Sequence, residues 1–108
     1  MSYFTHKEDA RKETNGNGYI LLSKDNGCTN GCVAGYTAYP FTEYQKPGCH
    51  QDQEGFIVLS GNGWAKLGDE ERMIKPGTAF IAPKDVPHVI KSADPADPVV
   101  VFWFHAAV

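Results

Sequence analysis

Nothing in this 108-residue chain is apolar for long enough to span a bilayer. The longest uninterrupted apolar run, Val99 to Phe104, is six residues, against the roughly 20 that a membrane helix needs. Clusters of Lys and Arg are also absent, and ten basic residues against thirteen acidic ones leave a net charge of −3. A surface for nucleic acid or anionic lipid concentrates positive charge, so neither partner is expected. The first ten residues are polar and of mixed charge, unlike a secretory signal, and a cytoplasmic location is the expectation. Cysteine is scarce: Cys28, Cys32 and Cys49 cannot close a complete set of disulfides. Cys28 and Cys32 are separated by three residues rather than the two of a redox or zinc-knuckle pair. All three are expected to be reduced thiols.

What the chain does have is enough for one core. Hydrophobic residues make up 42% and aromatics 12%, too many for a disordered segment, and the length suits a single domain. Residues 1–18 read as an N-terminal arm, with polar residues from 5 onward and room for one short helical turn; residues 19–108 read as the domain. Beyond residue 18 no segment keeps a 3.6-residue apolar period long enough for a substantial helix. Strand-like runs follow one another instead: Tyr19–Ser23, Cys32–Tyr39, Gly55–Ser60, Gly63–Leu67, Arg72–Lys75, Thr78–Ala82, His88–Lys91 and Val99–His105. Between them stand Asn26-Gly27, Pro47-Gly48, Gly61-Asn62-Gly63, Gly68-Asp69, Pro76-Gly77 and the segment from Pro83 to Pro87. Gly supplies positive φ and Pro fixes φ, so these residues punctuate strands. Short strands at close spacing predict an all-β sandwich or barrel. No internal repeat is visible, and the charged stretch from Gly68 to Arg72 reads as a solvated hairpin turn.

Alternation along an extended chain sorts residues by face. His50, Asp52, Glu54, Phe56 and Val58 share one parity; Ile57 and Leu59 carry the other. A strand apolar on both faces is usually covered on both, so either the N-terminal segment or a second copy is expected over Ile57 and Leu59. The second alternative makes a homodimer the expected assembly.

Of the four histidines, His50 stands four residues before Glu54, and His88 follows on a later strand. If that strand neighbours the first, His50, Glu54 and His88 form a two-histidine, one-carboxylate set, suited to Fe, Mn, Zn or Ni. His6 reads as an exposed arm residue. His105 shares parity with Val101 and Trp103 and reads as a structural strand-end histidine. Asp52 has the parity of a fourth ligand but reads as a solvated turn residue. Tyr36, Tyr39, Phe41, Tyr44, Trp64 and Trp103 read as core before substrate platform.

These residues fall into a known pattern. His50, three residues, Glu54, six residues and Gly61 are similar to the second half of the first cupin motif. Gly77, five residues, Pro83, Lys84, Asp85, two residues, His88, three residues and Ser92 follow the spacing of the second motif. The chain thus resembles the cupins over roughly residues 32 to 104. The resemblance implies an antiparallel double-stranded β-helix, or jelly-roll barrel. It also implies a divalent transition metal on His50, Glu54 and His88. Three positions depart from the pattern. Gly48 stands where the first motif histidine would be and removes one of four usual ligands; Cys49 replaces it only if a bulge reverses its parity. Asp85 replaces Gly and Ser92 replaces Asn, changes of turn geometry and strand end expected to cost little.

Two functions are compatible with this reading. One is a metalloenzyme of dioxygenase, isomerase or lyase type acting on a small polar molecule. The other is a metal-free module that binds or senses a small, sugar-like ligand. Retention of Glu54 favours metal, since a buried unpaired carboxylate is costly; the loss at Gly48 favours the binding module.

Overall fold

A computed structural model of the chain describes residues 1–13 and 16–108; Thr14 and Asn15 of the expected arm lie outside the described residues. Among the described residues nine strands follow in order: β1 (Arg11–Lys12), β2 (Gly18–Leu22), β3 (Val33–Tyr39), β4 (Gln53–Ser60), β5 (Gly63–Leu67), β6 (Glu70–Ile74), β7 (Ala79–Ala82), β8 (His88–Ser92) and β9 (Val99–Ala106). Two 3-10 turns, Lys7–Asp9 and Lys24–Asn26, are the helical elements among the described residues. Among the described residues no helix is long and apolar enough to cross a membrane.

The strands make two antiparallel sheets. One has six strands in the order β1-β2-β3-β9-β4-β7, the other three in the order β6-β5-β8. Phe56, Val58, Val101 and Trp103 of the larger sheet form one buried cluster with Ala65, Ile74 and Ile90 of the smaller one. This is the expected all-β, jelly-roll architecture, and the expected strands lie within about two residues of the observed ones. The exceptions are instructive. Strand β1 was not foreseen, because two exposed residues, Arg11 and Lys12, carry no alternation to read; they pair with Ile20 and Tyr19. Strand β6 begins at Glu70, so only Gly68 and Asp69 of the expected hairpin turn are turn, and Glu70 extends the ladder opposite Leu67.

Ile57 and Leu59 are 40% and 53% exposed, and Ile81 and Phe104 on the flanking strands are 46% and 42% exposed. The described residues of the N-terminal segment leave them exposed. Its Lys7 lies instead over the stacked rings of Tyr19 and Tyr36, on the side of the sheet nearer β2. An apolar outer face on β4, β7 and β9 is therefore left open.

Candidate metal centre

Glu54 opens the inward-facing row of β4, paired with Ala82 of β7 on one side and His105 of β9 on the other. It is buried, at 8% exposure. His88 is the first residue of β8, in the opposite sheet. His50 comes from the segment before β4, which is tied down by Gly48: the Gly48 and His88 backbones exchange hydrogen bonds of 2.8 and 2.9 Å. The adjacency on which the set was conditional is met through the segment of His50 and not through β4. Strand β8 pairs with β5, and the three side chains meet across the sandwich because the 48–50 segment bridges from one sheet to the other.

Nε2 of His50 and Nε2 of His88 each lie 3.1 Å from the same Glu54 oxygen, Oε1. One ligand atom from each of the three residues can be chosen so that all lie within 4.8 Å of one another. His88 is oriented from behind, its Nδ1 lying 3.4 Å from the Val86 carbonyl, the kind of outer contact that aims the other ring nitrogen at a shared centre. Burial pulls the His88 pKa down, but the hydrogen bond and charge of Glu54, helped by Val86, outweigh it and leave the imidazole above its ordinary value. Gly48 lacks a side chain where a Cβ would stand 3.2 Å from His88 Nε2 and 3.8 Å from His50 Nε2. The glycine thus leaves the cluster open on that side. Cys49 is exposed and is not part of the cluster.

Two residues belong to the site against expectation. His105 is not merely a strand-end histidine. Its Nδ1 lies 3.0 Å from Asp52 Oδ2, its Nε2 lies 3.6 Å from Glu54 Oε2, and its ring stands edge-on to His50 at 5.1 Å. Asp52, part-exposed at the bend before β4, therefore also anchors that imidazole. Shared parity with Val101 and Trp103, and with Glu54, was the signal that both point inward. His6 is exposed as expected.

These groups open onto a cavity of about 250 Å³ lined by Glu13, Thr37, Tyr39, His50, Glu54, His88, Trp103 and His105. Tyr39 and Trp103, read from sequence as core, thus also face the site. Burial, and then the charges of Glu54 and Glu13, push the Tyr39 phenol up, so it keeps its proton as a hydrogen-bond donor. A larger cavity of about 460 Å³ lies between the edge strands β6 and β7, but its walls, including Met73, Ile74, Phe80 and Ile81, hold no metal-ligating cluster.

A two-sheet antiparallel jelly roll carrying two histidines and a carboxylate between its sheets defines a class of β-barrel proteins with an interior ligand site. The family model for the cupin domain matches residues 39–105, and the chain belongs to that family. Among solved structures it is similar to KdgF from Halomonas sp., at 22% identity and a TM-score of 0.72, covering 97% of this chain and 93% of that one. It is similar as well to the cupin domain of Schizosaccharomyces pombe Cnp3, at 17% identity and a TM-score of 0.72, covering 84% and 64%. A third likeness is to hydroxypropylphosphonic acid epoxidase from S. wedmorenis in complex with fosfomycin, at 14% identity and a TM-score of 0.78, covering 95% and 58%. The chain thus spans less than two thirds of the length of the last two, and these likenesses carry the fold alone. No curated protein matches the chain in sequence.

Proposed function

We propose that this cupin holds a divalent transition metal on His50, Glu54 and His88 and acts with it on a small polar molecule. The observation that carries the reading is the convergence of two imidazole nitrogens on one buried carboxylate oxygen. Two nitrogens and one oxygen suit Fe, Mn, Zn or Ni and leave positions for water or substrate. Such an ion, when bound, supplies Lewis-acid or oxygen-activating chemistry, which accommodates dioxygenase, isomerase and lyase reactions. The chain's own residues supply the rest. Val86 and Asp52 aim His88 and His105, Tyr39 offers a phenolic proton, and the rings of Phe56 and Trp103 stand against His88 and His105. A cytoplasmic setting suits the three free cysteines.

Elemental analysis of the purified protein tests the reading, alongside His50→Ala and His88→Ala. The expected outcome is a near-stoichiometric transition metal in the parent, lost in both variants. A parent that takes up none after reconstitution with each ion would leave the metal-free small-ligand module, for which the open side at Gly48 is the supporting observation. We further propose that a second copy covers Ile57, Leu59, Ile81 and Phe104, whose contiguous apolar exposure supports a homodimer.

A further inference from the structure

The metal set leaves one carboxylate of the cavity unexplained. Glu13 reaches it from the N-terminal segment, where its backbone is pinned by a 2.9 Å hydrogen bond to the Gly18 carbonyl. Its side chain is held by a relay: Trp103 Nε1 donates to Thr37 Oγ1 at 2.9 Å, and Thr37 Oγ1 donates to Glu13 Oε2 at 3.2 Å. Thr37 and Trp103 are buried, so the relay is fixed by the body of the barrel. Gly18 makes room for it, since a Cβ there would fall 2.5 Å from both Glu13 Oε2 and Thr37 Oγ1. A surface carboxylate needs none of this. Burial and the charge of Glu54 hold the Glu13 carboxyl above its usual pKa, with the Thr37 hydrogen bond opposing them. The structure thus spends stability to keep an acidic group facing the site.

The rest of the wall is as informative. No Lys or Arg is among the lining residues. Lys46 lines a separate, neighbouring cavity of about 180 Å³ that shares Tyr39 and His88. With a divalent ion in place, Glu54 and Glu13 together offset its charge. The wall therefore holds no permanently charged cation to grip an anionic group. What the wall offers are hydroxyls, imidazoles and a carboxyl, the donors and acceptors that suit alcohols and carbonyls.

We propose that Glu13 contacts the ligand and makes this cavity selective for a small, uncharged, polyhydroxylated molecule over its anionic counterparts. The proposal rests on the reading of this cavity as the ligand site. It assigns a specificity role to a residue outside the barrel motifs.

Calorimetric titration of the full chain, loaded with cobalt(II) and metal-free, tests it with two probes matched in size: xylitol and D-xylonate. The parent should bind xylitol about tenfold or more tighter than xylonate, and Glu13→Lys should reverse that order. Glu13→Gln should keep xylitol binding and narrow the preference by about threefold or more, which preserves the test if the lysine variant fails to fold. A parent that holds xylonate as well as xylitol, or binds neither, overturns the proposal. So does a preference unchanged in both variants. Failure to take up cobalt(II) is a separate result that counts against the metal reading, and the metal-free titration then decides the role of Glu13.

Discussion

Glu54 receives two imidazole nitrogens on one oxygen from within a buried position, so its charge is the centre of the donor set. Glu54→Gln keeps the shape and removes the charge; metal affinity, read by competition with a chelator, should fall roughly tenfold or more. Gly48→His tests the open side. A side chain there starts 3.2 Å from His88 Nε2, and an added imidazole should slow metal release to the same chelator. Unchanged release in both variants would refute the assignment of the site. Glu13 makes a prediction of the opposite kind. Its pKa is raised in the folded protein, so the folded state keeps that proton to higher pH than the unfolded chain does. Stability is therefore lost as pH rises from the unfolded value through the folded one, and the loss persists at neutrality. Glu13→Gln should melt above the parent at pH 7 and level with it below about pH 4, where both side chains are neutral. Equal melting temperatures at both pH values would mean that the Glu13 carboxylate costs the fold nothing.

Strands were readable wherever alternation and turn residues coincided, as in β4, β5 and β9, whose observed starts or ends sit at Ser60, Gly63 and Val99 as expected. Where pairing alone makes the strand, as in β1, they were not. Ser92 shows how an apparently minor motif change acts at this scale. It was expected to cost little, and the serine is 1% exposed and joins three strands. From the end of β8 its hydroxyl donates to the Tyr39 carbonyl at the end of β3 and accepts from Val99 N–H at the start of β9, at 2.5 and 2.8 Å. Ser92→Ala would strand two buried backbone groups, each worth about 1–3 kcal/mol when left unpaired. A fall of the melting temperature by about 5 °C or more is expected. A change under one degree would mean that neighbouring groups or water take over both bonds.

Folding and ligand binding are coupled through the whole molecule, because the donor set draws on both sheets and the segment bridging them. An ion that binds only the folded chain should add about 2.7 kcal/mol at a free concentration a hundredfold above its Kd. Melting should therefore shift upward with metal and return with chelator in the parent, and stay fixed in His88→Ala. The outer face belongs to this scale as well. Sedimentation should find the parent dimeric at micromolar concentration, and Ile57→Lys, which puts a charge in the centre of the exposed apolar patch, monomeric. A parent that sediments as a monomer would sink the dimer.

The sequence by itself determined the all-β class, the turns and the pairing of His50 with Glu54 at a spacing of four. These depend on local chemistry: φ at Gly and Pro, alternation along a strand, and motif spacing. Tertiary structure alone decided which strands are neighbours. Alternation says which residues share a face but not what lies beside or across from them. Insertion of β9 between β3 and β4 sets His105 opposite Glu54 and Trp103 opposite both Phe56 and Gly35. Placement of β8 in the facing sheet brings His88 across to Glu54, and the fold of the N-terminal segment onto β2 delivers Glu13. Such contacts join residues tens of positions apart, and only the closed barrel brings them together.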